Sequence, residues 1–467
     1  MGLHANVHSS LRSGLSATQF AHIMNTVSNL EIVSLPQESS SGQRLLFPAF
    51  LIFSVCFYSY RFLFGLGSPL TTYYDSDAPD WLRASKDVIW FAVLVSVLMS
   101  STAESWEFAR RNQREHPLFF RGLSMLVILF VVMGVIHIFY FQSVLDTFLY
   151  WIRYPLEYVP LVFFMPLFVV RWHSLVPVLL RLGWLSVAFL VFEMFSNRQM
   201  GFYNRYGSIF GSPNDYGMFC VLFIIGLAAC SRRWTHWVLL TFMICGLVLT
   251  LSRSAFAGLI AGLSSLLYLR RVRIGFPVAL LLILGLAGIL VWRFPEFVGM
   301  TQVQYGLAHF DVDSSAVSRL RELQVFQTRF GEFDIASLLW GTDYFHIESW
   351  YLALVVRTGG FGLLLWLLIM GATVARGWRY RNLSKVHGVA AAGLLSLCVA
   401  SAFIPYPDTF PTNFYMWLAV GTIWMPITRE DIDLLYSENR HSLTHAWVSP
   451  GDLPNIATCQ EGLRSSR

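Results

Sequence analysis

What most constrains this chain is a succession of apolar runs, each of about 15–22 residues and nearly free of charge. An α-helix rises about 1.5 Å per residue, so runs of that length match the hydrocarbon core of a bilayer. There, each segment must satisfy its own backbone polar groups, and helices do so. The runs fall near residues 46–66, 88–103, 122–141, 156–170, 179–195, 214–230, 237–251, 254–269, 274–292, 349–370, 386–404 and 414–428. The expected fold class is all-α: a polytopic membrane protein with about twelve transmembrane helices. Composition agrees, since 55% of the 467 residues are hydrophobic and 13% are charged, against roughly 25% charged in a soluble globular protein. The narrowest separation is between 237–251 and 254–269, where only Ser252 and Arg253 intervene.

Arginine placement orients the chain. ARRNQR (Arg110, Arg111, Arg114), SRRW (Arg232, Arg233), LRRVR (Arg270, Arg271, Arg273) and ARGWRYRNLSK (Arg376, Arg379, Arg381, Lys385) fall on one side of the expected membrane. That side holds about 21 Lys and Arg against about 10 on the other, and cytoplasmic loops carry the positive excess. Both termini are therefore expected in the cytoplasm. The sequence pI of 8.9 follows from this bias and gives no reason to expect nucleic acid as a partner. Residues 1–44 and 429–467 read as polar cytoplasmic tails, expected to be disordered, around a transmembrane domain at 45–428. The first tail lacks a cleavable signal pattern. Cys56, Cys220, Cys230, Cys245 and Cys398 lie in spans and Cys459 in the second tail, so the spacings suggest neither a disulfide framework nor a metal set. No cofactor is expected.

The outside loops are short except residues 293–348, and a loop beyond about 15 residues is usually functional or structured in its own right. It contains SSAVSRLRELQVFQTRF, where Val317, Leu320, Leu323, Phe326 and Phe330 recur at helical spacing with Arg319, Arg321 and Arg329 off that stripe. Such a helix can lie on the bilayer with its arginines in water, or turn them to an anionic headgroup or lipid-linked phosphate.

Three further stretches can carry chemistry. GSIFGSPNDYG (Gly207 to Gly217) reads as a helix start, with Ser212 at the N-cap and Pro213 at the first helical position. The first amides of that helix carry partial positive charge and suit a phosphate, with Arg198 and Arg205 just upstream. Asp215 works against this by taking up an amide, and the plainer reading is a capped re-entry helix. LTLSRSAFAGLIAGL puts Arg253 at a helix end, where snorkelling is the plain reading. After it, Ala257 with Ala261 and Gly258 with Gly262 suit close helix packing. GTDYFHIESWYLALVVRTGG gathers Asp343, His346 and Glu348 where the long loop enters a span, and either of the last two can serve as a general base or orienting group. Arg357 lies roughly 13 Å further along that helix. Like Arg61 and Glu193 in their own spans, it needs a partner or a wet cavity.

In this order and topology, RYGSIFGSPNDYG, LTLSRSAFAGL, SRLRELQVF and LLWGTDYFHIESWYLALVVRTGGFGLL resemble the O-antigen ligase and O-antigen polymerase family of bacterial inner-membrane enzymes. The resemblance spans residues 200–370. It implies a metal-independent glycosyltransferase facing the periplasm, with a glycan on undecaprenyl diphosphate as donor, a sugar acceptor, and a flippase and chain-length regulator as partners. Arg205 matches the family's functional arginine ahead of its Gly-Phe-Gly-Pro-Asn segment, and Asn214 that Pro-Asn pair. Arg205, His346 and Glu348 are the expected catalytic residues, with His346 or Glu348 as the base, and Arg198, Asn214, Arg253, Arg319 and Arg321 form the expected substrate-binding set. Where ligases carry a histidine before the Tyr-Leu of the helix after the loop, this chain has Glu348-Ser349, which favours a polymerase or exopolysaccharide relative over a ligase. A transporter or flippase of lipid-linked sugars is the competing class. It should show two related halves with broken helices at matched positions, and the sequence has no visible repeat.

Reporter fusions test the orientation. Fusions at Ala78, Tyr203, Ser314 and Asp408 are expected to report the periplasm, and those at Arg111, Arg232, Arg379 and Glu438 the cytoplasm; a cytoplasmic signal from Ser314 would remove the long loop from the outer side.

Overall fold

A computed structural model describes residues 43–57, 80–140, 157–168, 172–195, 206–210, 212–230, 233–269, 314–341, 347–381 and 384–426. Expectations for the span 274–292, most of both tails, Arg61, Arg198, Arg205, Asp343 and His346 lie outside them. Among the described residues the chain is all helical: α1 Gln43–Cys56, α2 Asp80–Ser100, α3 Ala103–Glu115, α4 Pro117–Tyr140, α5 Val159–Phe168, α6 Trp172–Phe195, α7 Pro213–Cys230, α8 Trp234–Thr250, α9 Arg253–Tyr268, α10 Ser314–Phe330, α11 Ile335–Trp340, α12 Trp350–Arg379, α13 Lys385–Ala400 and α14 Thr412–Trp424. Short 3₁₀ turns occupy Ser208–Phe210 and Tyr406–Asp408. The helices belong to one compact unit, Pro36–Arg381 with Lys385–Met425, while Ser384 and Pro426 fall in a second.

Three stretches, Pro117–Ile136, Val176–Phe195 and Trp350–Arg379, are long and apolar enough to cross a membrane, and a fourth span arises if the bent pair Ala84–Ser100 and Ala103–Glu115 is counted as one. Shorter apolar helices, such as Trp234–Thr250 and Lys385–Ala400, pack beside them. Phe91, Met99, Phe139, Phe195, Ile260 and Leu368 are largely exposed, a greasy exterior that a water-soluble monomer rarely shows. The unit therefore suits a lipid surround. Its interior is aromatic, with Trp350, Trp366 and Trp417 edge to face in series.

Most helices start where the apolar runs start, and local chemistry explains the boundaries. Leu251 takes a left-handed conformation at φ 51°, so Ser252 and Arg253 suffice to turn α8 into α9. The arginine-rich stretch after Ser101, expected as a loop, is instead the amphipathic helix α3. It is capped by Thr102 accepting from the Ser105 N–H at 3.2 Å and bent by 107° from α2. It buries Ser105, Phe108, Ala109 and Asn112. The small-residue faces of α9 and α13 meet closely: a Cβ at Gly258 would stand 2.9 Å from the Ser396 carbonyl oxygen, and one at Gly262 would stand 2.2 Å from the Ser396 Oγ.

Hydrogen bonds define two ends of the bundle. At the lower end Arg376 donates to the Ile423 carbonyl, Trp378 to Ser265, and Arg376 lies against the rings of Tyr380 and Trp424. The upper end holds the starts of α7, α9, α12 and α14. There, α12 is broken: Gly359 has φ 67° and ψ −173°, a conformation essentially reserved for glycine. A Cβ on it would lie 2.2 Å from the carbonyl carbon and oxygen of Leu339, so α11 presses directly on the break.

Gly359→Ala is therefore expected to lower stability by at least the roughly 1–3 kcal/mol of a strained backbone. Gly371→Ala, in the same helix with open space around it, is expected to be neutral or slightly stabilising. Thermal unfolding of the two purified variants makes the comparison, and equal midpoints would mean that α12 runs unbroken.

Candidate functional site

The upper end is organised by a short segment, Tyr406 to Asn413, that enters α14. The Tyr406 hydroxyl donates to the Asn214 carbonyl at 3.2 Å and lies 3.0 Å from the Ser254 Oγ. Asp408 pairs with Arg357 at 2.6 Å. Thr409 and Thr412 both donate to the Asp215 carboxylate, at 3.3 and 2.9 Å. The ring of Phe410 lies 5.0 Å from the Lys86 ammonium. One stretch of chain thus meets α2, α7, α9 and α12.

Around it three helix starts converge. Ser212 caps α7, its Oγ accepting from the Asp215 N–H at 3.4 Å as the sequence suggests. Asp215 itself bonds the two threonine hydroxyls that bracket the start of α14. Ser252, preceding α9, donates to the Asn214 Oδ1 at 3.0 Å and lies 3.1 Å from the Ser254 hydroxyl. The first turns of α7, α9 and α14 are therefore joined side chain to side chain, and each carries the partial positive charge of its leading amides. Arg253, the first residue of α9, is exposed beside this junction, while Asn214 is half-buried within it.

Glu193 finds its partners in the turn before α7: its carboxylate accepts from the N–H groups of Gly207 and Ser208, at 3.2 and 2.7 Å. Ser208 adopts φ 50°, and its hydroxyl donates to the Ser186 carbonyl at 2.7 Å. A buried carboxylate thus fixes the turn that leads into the junction. Arg357 finds its partner in Asp408, both nearly fully buried, with the Trp350 ring 5.6 Å from the guanidinium.

The long loop contributes a second group. Helix α10 forms as its spacing suggests, and Phe326 of its stripe is buried against Ile347 and Val356, while Leu320, Leu323 and Phe330 are exposed. Arg319 pairs with Glu348 through Nε to Oε2 at 2.7 Å, and the Glu348 N–H donates to the Glu322 carboxylate at 2.9 Å. Arg321 is exposed. Asp334 caps α11 by accepting from the Ser337 N–H at 2.7 Å, and its bonds with Ser337 hold its carboxyl below the usual range.

Of the residues singled out in the sequence, the structure brings Asn214 and Arg253 to one junction and pairs Arg319 with Glu348. Sequence reasoning missed Tyr406, Asp408, Thr409 and Thr412, which read as one short outer loop, and the buried pair of Lys86 with Glu157 at 2.5 Å. The YPDT turn was the available signal, a polar group between two spans. Among the described residues no group of three or more His, Cys, Asp and Glu side chains is placed to share a metal ion. No protein-family model matches this chain, and no curated protein matches it in sequence.

Tyr406→Phe removes the hydroxyl shared by Asn214 and Ser254. It is expected to cost about 1–3 kcal/mol, the range for a buried polar group left without its partner. Thermal unfolding measures this, and a variant as stable as the parent would show that the junction does not depend on that hydroxyl.

Proposed function

We propose that the chain is a periplasm-facing glycosyltransferase of a bacterial inner membrane, crossing it about twelve times with both termini in the cytoplasm. It transfers a glycan from undecaprenyl diphosphate to an acceptor sugar, most simply as a polysaccharide polymerase. The observation that carries the reading is the convergence of the starts of α7, α9 and α14, since Asn214 and Ser252, joined by a hydrogen bond, come from two of the segments on which the family resemblance rests. Arginines at the lower end, Arg376, Arg379 and Arg381 among them, agree with a cytoplasmic assignment for that end.

In this reading the acceptor hydroxyl oxygen attacks the anomeric carbon of the donor. The bond from that carbon to the diphosphate oxygen breaks, and the lipid diphosphate leaves with the electron pair. Its growing charge is met by the helix starts and by Arg205, Arg198 and Arg253, groups that act most strongly where water is excluded. The acceptor proton passes to Glu348 or His346. Arg319, paired with Glu348, holds the carboxylate in place, and Arg321 is exposed, available to the glycan or its lipid. The Asp215 carboxylate, bonded by two threonine hydroxyls, keeps its negative charge, so attraction for the diphosphate falls to the arginines and the helix starts.

A carrier of lipid-linked sugars is the second reading, favoured by the break in α12 at Gly359, since discontinuous helices are common in transporters. Deletion separates the possibilities. A polymerase deletion is expected to leave single repeat units on the lipid carrier or cell surface. Normal-length polymer retained on the carrier would indicate a ligase, and lipid-linked units trapped on the cytoplasmic face would indicate a carrier. In complemented cells, Arg205→Ala is expected to reduce polymer by about 10²–10³-fold at unchanged protein level. Arg205→Lys is expected to rescue poorly, because lysine lacks the two-pronged guanidinium geometry. Wild-type polymer from Arg205→Ala would remove Arg205 from the site.

A further inference from the structure

The buried pair of Arg357 and Asp408 performs no step in the reaction above, and it is an expensive feature to place among apolar side chains. The two side chains are 3% and 5% exposed. Replacing such a pair with apolar residues of similar volume is often neutral or stabilising, so stability alone is a weak account of it. What an ion pair of fixed geometry does supply is direction.

Its position shows what it could direct. Glu348 sits in a packed body made of α10, α11 and the first turns of α12. Arg319 and Glu322 hold Glu348, Phe326 packs on Ile347 and Val356, and α11 lies against the break. A Cβ at Gly341 would stand 2.6 Å from the Arg357 carbonyl oxygen, so the end of the long loop closes directly on the turn that bears Arg357. Gly359 separates this body from the rest of α12. Among the described residues its ties to the bundle include the Trp350 N–H to the Ser401 carbonyl at 3.0 Å, the Tyr351 hydroxyl to the Cys398 carbonyl at 2.7 Å, and the ion pair, beside the Trp350 ring packed on Trp366. The first two reach the end of α13. The ion pair reaches the segment from Tyr406 to Asn413 that joins the three helix starts.

We propose that Arg357 and Asp408 are positioning residues, which set the angle of the segment hinged at Gly359 and thereby the place of Glu348 relative to the junction of Asn214 and Ser252. The assignment of Glu348 rests on the glycosyltransferase reading, but its placement by the ion pair can be measured without it.

The test uses the full-length protein in lipid nanodiscs, with undecaprenyl-diphosphate-linked glycans accumulated by a deletion strain as the donor. Asp408→Asn is expected to lower kcat by about 10–100-fold with little change in the donor KM, as misplacement of a reacting group does. Asp408→Glu and Arg357→Lys, which keep the charges, are expected to recover part of that loss. Spin labels at Leu320 on α10 and Thr241 on α8 report the body's position independently, and their distance distribution is expected to broaden in Asp408→Asn and stay narrow in Asp408→Glu. A folded Asp408→Asn protein with parental kcat and a narrow distribution would overturn the proposal. If the parent protein transfers no glycan, the glycosyltransferase reading falls, and the distance distributions alone decide whether the pair holds the segment.

Discussion

Asp408 and Arg357 meet where neither charge can reach bulk water, and the arrangement of the upper end depends on that meeting. A lone guanidinium inside a helical membrane protein is costly, and a carboxylate opposite it removes most of the penalty only if both are held in place. Holding Asp408 fixes the turn Tyr406–Asp408 and brings the next residues, Thr409 and Thr412, to Asp215. Holding Arg357 fixes the upper part of α12. The polar network at this end is therefore built around pairs distant in sequence: Arg357 with Asp408, Asp215 with Thr412, and Tyr406 with Asn214.

That distance explains which features could be read from the sequence. Apolar runs long enough to span a bilayer are local, so α4, α7, α12 and α13 are visible from their own residues. The cap at Ser212 was visible for the same reason, because serine and proline act on amides two or three positions away. The contact of Tyr406 with Asn214 spans 192 positions, and nothing in either neighbourhood marks it. A lone aspartate in a turn looks solvated until its partner is known.

Two local readings gave way to tertiary context. The stretch with Arg110, Arg111 and Arg114 has the charge of a loop, yet Phe108 and Ala109 bury against the bundle and hold it helical as α3. The apolar run through Arg357 reads as one continuous helix; it is long and apolar enough to cross a membrane, but Gly359 kinks it where α11 presses closest. In both cases the deciding partner lies in another segment. Arg319 offers a milder example: it sits off the apolar stripe as its spacing indicates, and is half-buried with its Nε on Glu348.

The close approach of α9 and α13 has a consequence for how the two parts of the upper end stay in register. Gly258 and Gly262 let α9 rest almost on the backbone of α13 at Ser396. The start of α9 carries Ser252, bonded to Asn214, and the end of α13 carries Ser401, which receives the N–H of Trp350 two residues after Glu348. The two glycines therefore act as a spacer of nearly zero thickness between the helix-start junction and the body that holds Glu348. A methyl group added there would alter the gauge between the two, although it would touch neither.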